Sequence, residues 1–219
     1  MLPEVTDFCR LVLLRHPELE ASEARIAVGA GPASLSRRGK ERVLQWMDLL
    51  QYEPIARVHA ADQPQSIGPA AGLARSKSIE VIEEARLRDQ DMGEWQGRPW
   101  DELVAADRVA VTEFFERFAD QVPPGGESLG QAVERMIEWW GDSRPEEPGH
   151  AIAAVGPGSL LSGFAAALLG MRLSRCLSLS LPPGGVGVLD VYSNGVRVSA
   201  WNVDGLRDEG GTADAAGTE

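Results

Sequence analysis

Cys9-Arg10-Leu11-Val12-Leu13-Leu14-Arg15, followed at once by His16, decides how the rest of the chain is read. A short apolar run ending in charge suits a central parallel strand buried on both faces, because βαβ crossovers lay helices over both sides of such a sheet. Ile55 to Ala60, Ser78 to Ile82 and Ala151 to Val155 read as further strands. Val186 to Tyr192 and Val196 to Val203, joined by Ser193-Asn194-Gly195, read as a closing hairpin, since Asn-Gly suits the tight turn that joins two antiparallel strands. Ser36 can cap a helix carrying Val43, Leu44, Met47 and Leu50 at helical spacing, which should stop before Pro54. The Ala-rich segment Pro69 to Arg75 reads as a crossover helix, and Gly97 to Gln121 as a helical cap with Trp100, Leu103, Val104, Phe114, Phe115 and Phe118 on its apolar faces. Glu127 or Ser128 starts a helix with the stripe Leu129, Val133, Met136, Ile137 and Trp140, and Ser159 to Leu169 reads as a buried helix. This alternation predicts an α/β three-layer sandwich, with a mostly parallel central sheet, helices on both faces and a small helical cap. Functional groups should gather at the carboxyl ends of the strands, where Arg15, His16, Asp62 and Gly156 all fall.

The 219 residues, 43% hydrophobic and 25% charged, suit one domain, placed at residues 1–205. Residues 206–219 hold almost no large apolar side chain and read as a disordered acidic, Gly- and Ala-rich tail. A net charge of −12 argues against nucleic acid as a partner, because phosphate backbones are held by clustered Lys and Arg. The acids at Glu4 and Asp7 do not fit a signal peptide, and the longest apolar stretch, Leu160 to Met171, is too short to span a bilayer. Cys9 and Cys176 have no metal-ligand or redox spacing and read as buried thiols, so the expected location is cytoplasmic, with no membrane, metal or cofactor.

Further landmarks follow in order. They are Leu35-Ser36 with Gly39, Val58-His59-Ala60-Ala61-Asp62, Leu87-Arg88-Asp89, Gly93-Glu94-Trp95-Gln96-Gly97, Pro124-Gly125-Gly126-Glu127-Ser128 and Leu168-Leu169-Gly170. Together with Arg15-His16 they resemble the histidine phosphatase (phosphoglycerate mutase-like) superfamily, from Leu11 to Trp201. The resemblance implies that His16 accepts a phosphoryl group, that Arg15 clamps it, and that Asp89, one methylene shorter than the family's Glu, protonates the departing alkoxide.

Other pocket positions depart from the family pattern. Gln65 stands where the second clamping Arg belongs, Ala61 where a Ser belongs, and Gly156 where the second His belongs. Pro157 replaces a Gly and offers no N–H, and Leu19 and Ser22 stand where Thr and Asn are usual. If each lost phosphate donor removes roughly 2.7–4 kcal/mol, two together exceed a rate loss of about 10⁴, although such losses do not add. Arg25, Arg37, Arg38 and Arg98 lie in loops or helix starts from which one could replace the missing clamp. The leading expectation is a superfamily protein with an eroded phosphate pocket, inactive or very slow as a phosphomonoesterase, that binds a small phosphorylated or anionic ligand or a protein partner. The alternative is an active phosphatase or mutase working through a phosphohistidine at His16 on an unusual phosphorylated small molecule. A third reading, different chemistry in the same scaffold, has no cofactor motif to support it.

Overall fold

The computed structural model describes residues 8–145 and 149–203. The N-terminal residues read above against a signal peptide, and the acidic tail, lie outside this range. Strand β1 (Cys9–Arg15) forms where the apolar run predicts it, and every residue from Leu11 to Leu14 is buried. With β2 (Ile55–Ala60), β3 (Val81–Glu83), β4 (Ala151–Gly156), β5 (Val186–Val191) and β6 (Val196–Val203), it builds one sheet of order β3-β2-β4-β1-β5-β6. Pairing is parallel from β3 through β2 and β4 to β1, and antiparallel from β1 through β5 to β6. The register sets Arg15 beside Gly156 and aligns Ala60 with Val155, so β1, β2 and β4 end at one edge.

Side chains alternate across a strand, so β1 feeds two cores at once. Val12 and Leu14 pack with Trp46 of α1 (Arg37–Leu49) and with Ala70, Leu73 and Ala74 of α2 (Pro64–Ser76). Leu11 and Leu13 pack with Val133, Met136 and Trp139 of α5 (Leu129–Ser143) and with Leu161, Phe164 and Ala165 of α6 (Gly158–Leu168). A third, smaller cluster joins Ala27, Met92 and Trp95 to Leu103 of α3 (Trp100–Ala106) and Val111 and Phe114 of α4 (Arg108–Glu116), which form the cap. This is the three-layer α/β sandwich with a helical cap.

Several details correct the expectations. Helix α1 begins after Ser36, whose hydroxyl accepts from Gly39 N–H, but its buried residues include Trp46, while Leu44 is largely exposed. Ile137 likewise faces solvent on α5. Helix α2 starts five residues before Pro69, at Pro64, because proline at a first helical position loses no needed N–H. Strand β3 begins at Val81, with Ser78 at φ +59° in a turn. The cap is broken into α3 and α4 at Asp107, whose side chain accepts from Ala110 N–H and caps the second piece.

Candidate active site

A cleft of about 330 Å³ opens at the carboxyl ends of the strands, lined by Arg15, His16, Gln65, Asp89, Pro157 and Ser159 among others. His16 follows β1 directly, and its backbone N–H donates to Gly156 O at 2.9 Å. Its Nδ1 lies 3.0 Å from Pro17 O. A carbonyl only accepts, so Nδ1 carries the proton and Nε2 holds the lone pair. Burial, aided by the Arg15 charge, pushes the His16 pKa below the usual histidine value against the opposing pull of the Pro17 carbonyl and Asp89. A neutral imidazole with a basic Nε2 is the form a nucleophile needs.

Arg15 ends β1. Its Nη1 donates to Leu181 O at 2.6 Å, and its Nε is buried with no hydrogen-bond partner among the described residues. Burial lowers its pKa, while Asp89 opposes that shift. An unpartnered donor inside a cleft is costly unless an anion meets it. The side chain lies across Gly158, where a Cβ would come within 2.7 Å of Arg15 Cδ and 2.8 Å of Nε.

Asp89 lines the same cleft and acts electrostatically on both Arg15 and His16. One carboxylate oxygen accepts from Ser159 Oγ and from Gln90 N–H, both at 2.9 Å. Its segment is tied down by Arg135 on α5, whose guanidinium donates to Arg86 O, Arg88 O and Asp89 O at 2.7–2.9 Å and pairs with Glu127 at 2.7 Å. The two glycine-rich motifs interlock here: a Cβ on Gly93, which is at φ +53°, would lie 2.2 Å from Pro124 O, and one on Gly126 would lie 2.3 Å from Asp91 O.

Gln65 is buried at the start of α2. Its Oε1 accepts from Ala33 N–H and its Nε2 donates to Gly31 O, both at 3.0 Å, so it fastens the loop over the cleft. Gly156 touches the site through its backbone, not as a lining residue, and a Cβ there would lie 3.1 Å from Leu87 O. Ser22 is exposed and does not line the cleft, because it precedes a short 3-10 turn at Glu23–Arg25. Leu19 does line it. Among the lining residues Arg15 is the one Arg or Lys; Arg25, Arg37, Arg38 and Arg98 stay outside. His59 is buried under Trp139, whose Nε1 donates to its Nδ1 at 3.2 Å, away from the cleft. No group of three His, Cys, Asp or Glu able to hold a metal occurs among the described residues.

The sequence reading missed Gln63, Ser159, Ser162 and Ser180 on the cleft wall, although it placed Pro157, just before the start of α6, in the pocket. The first backbone N–H of that region to close a helical bond is that of Leu161, to Pro157 O, so the preceding peptide N–H groups point out of the helix start. The segment Gly156-Pro157-Gly158-Ser159 between an apolar strand and an apolar helix carried that signal.

A neutral histidine beside an arginine with an unsatisfied donor, at the strand ends of this sandwich, fits phosphoryl-transfer chemistry. The chain belongs to the histidine phosphatase superfamily (branch 1), whose sequence model matches residues 11–204. It is similar to the glucosyl-3-phosphoglycerate phosphatase of Mycobacterium tuberculosis, with 25% identity over 189 residues covering 81% of each chain. It is also similar to phosphoserine phosphatase 1 of Hydrogenobacter thermophilus, with 26% identity, covering 76% of this chain and 79% of that one. A solved structure of a mycobacterial glucosyl-3-phosphoglycerate phosphatase in complex with VO₃ superposes with a TM-score of 0.78 at 25% identity, covering 89% of this chain and 99% of that one. No single helix among the described residues is long and apolar enough to cross a membrane.

Proposed function

We propose that the chain is a phosphomonoester hydrolase of low turnover that carries the phosphoryl group on His16 and acts on a phosphorylated small molecule. The observation that carries this reading is the pairing of His16, neutral with Nε2 basic, with Arg15, whose buried Nε lacks a partner in the same cleft. In the first half-reaction Nε2 attacks phosphorus, the bond from phosphorus to the ester oxygen breaks, and Asp89, held by Ser159, protonates the departing alkoxide. In the second, water attacks the phosphohistidine with Asp89 as base, which releases phosphate and restores Nε2. Arg15 and the peptide N–H groups at the start of α6 face the phosphoryl oxygens; the helix terminus adds a partial positive charge. Curated relatives named as phosphatases support turnover over a pocket that only binds. Slowness follows from Gln65 being committed to Gly31 and Ala33, and from Gly156 and Pro157 offering no side-chain donor. We assign the described fold through residue 203 as the catalytic unit, and the free, buried Cys9 and Cys176 support a reducing compartment.

One observation favours a second reading, ligand binding without turnover: Arg15 is the one Arg or Lys lining the cleft and already donates Nη1 to Leu181 O. The two readings part in one experiment. The purified protein is mixed with a panel of phosphomonoesters, quenched in alkali and examined by mass spectrometry for phosphohistidine at His16. Turnover with a phosphorylated His16, both lost in His16→Ala, is expected. Saturable binding with no phosphohistidine and no phosphate release across the panel would leave the binding reading in its place.

A further inference from the structure

Next to the phosphate cleft lies a second cavity of about 440 Å³, and the two share Val28, Gly29, Asp89, Ser159 and Leu177. The shared wall holds Asp89, so a leaving oxygen protonated there has its organic group directed into the second chamber. That chamber is aromatic. Trp100 from α3, Phe114 and Phe115 from α4, and Phe118 just after α4 line it, with Trp100 5.1 Å from Phe115 and 6.4 Å from Phe114 between ring centroids. Its remaining lining includes Ile26, Met92 and Leu129, the acids Glu23 and Asp89, and no Lys, Arg or His.

Resting on the phosphomonoesterase reading, we infer that the substrate is the phosphate monoester of an uncharged, largely apolar alcohol, with an aromatic or branched hydrocarbon group that fills this chamber. The argument is one of complementarity. An apolar group gains from leaving water and from edge or face contact with the rings. A carboxylate or second phosphate on the alcohol would lie beside Glu23 and the aromatic rings with no cation to meet it, which is unfavourable. The substrates in the names of the relatives, glucosyl-3-phosphoglycerate and phosphoserine, both bear a carboxylate. This chain therefore separates from them at the leaving group, while the phosphoryl chemistry stays the same. Trp100, Phe115 and Phe118 act as specificity residues that touch the alcohol.

The test compares 2-phenylethyl phosphate, ethyl phosphate and 3-phosphoglycerate, all monoesters of primary alcohols, on the full chain. We expect kcat/KM for 2-phenylethyl phosphate to exceed that for ethyl phosphate by at least about tenfold, with 3-phosphoglycerate lowest. Phe115 is 57% exposed, so Phe115→Ala removes chamber wall without opening the core, and with it the ratio of the first two esters should fall toward one. Trp100→Ala should lower it further. Preference for 3-phosphoglycerate, or a ratio unmoved in both variants, overturns the inference. Should no ester be turned over, the phosphomonoesterase reading fails by itself, and calorimetric binding of the same esters decides the chamber: tighter binding of 2-phenylethyl phosphate upholds it, and equal binding overturns it.

Discussion

His16 is fixed by two carbonyls, Gly156 O on its backbone N–H and Pro17 O on its ring, so the tautomer is settled by backbone and not by a neighbouring side chain. None of this is visible in the dipeptide Arg15-His16, which gives the residue type and leaves its proton unassigned. The same holds for Gln65. Its position in the sequence suggested a lost cation, and the structure adds that Gln65 accepts from Ala33 N–H, a bond that an arginine, with no acceptor, could not make. Arg15 gives the sharpest residue-level prediction, because it rests on Gly158 with no room for a methyl group. Gly158→Ala should push the guanidinium aside, since a flexible side chain yields more cheaply than the helix backbone. Alanine also suits a helix better than glycine by up to about 1 kcal/mol. The expected outcome is kcat/KM for phosphomonoesters reduced at least about tenfold with a melting temperature unchanged or raised, read by steady-state kinetics and thermal unfolding. A loss of stability in step with activity would show that Gly158 serves the fold and not the placement of Arg15.

At the scale of elements, capping signals were legible and the breaks between elements were not. Ser36 caps the helix assigned to it, and of the two starts read for α5 it is Ser128 that caps, in a reciprocal capping box with Gln131. Helix α1 shows the limit, because Leu44 and Trp46 both sit in an apolar repeat and only packing decides which one turns inward. The link from α5 to the Asp89 segment lay beyond sequence reading, since Arg135 reaches carbonyls 46 to 49 positions earlier in the chain. Removing it leaves those carbonyls and Glu127 without their charged partner. Arg135→Ala should cost about 2 kcal/mol in denaturant unfolding. It should also lower kcat more than it raises KM, because the acid is displaced while the phosphate cleft stays built. Arg135→Lys should recover little, since one ammonium cannot reproduce a fork spread over three carbonyls and a carboxylate. Full recovery by lysine would mean that charge alone holds the segment.

Across the whole molecule, β1, β2, β4 and the β5–β6 hairpin were legible almost to the residue, because buried strands write themselves as short apolar runs and the hairpin as Asn-Gly. The aromatic chamber was not. Trp100, Phe114, Phe115 and Phe118 were readable as apolar faces of a cap, but their enclosure of a space beside Asp89 depends on where α3 and α4 dock. A global property follows from His59, whose pKa is pushed down to about 4, mainly by burial. Its folded-state value lies below its unfolded value of roughly 6.5, so the unfolded chain binds the extra proton first on acidification. Its contribution to stability is therefore complete above that unfolded value and is lost as pH falls toward 4. His59→Phe, which keeps a ring beside Trp139, should lose less melting temperature than the parent protein between pH 7 and pH 4.5. Parallel curves for the two proteins would place the acid sensitivity elsewhere.

Because alternate residues of β1 are gripped by opposite helical layers, that strand has no one-residue slip open to it: sliding would turn both sets of side chains to the wrong face. The His16 backbone inherits its position from this double grip, while Pro17 O orients the ring. Gln65 lies on another element, α2, so its side chain takes no part in that register. Under the phosphomonoesterase reading, the leaving-group side of the cleft can be rebuilt while the attacking nitrogen stays where it was.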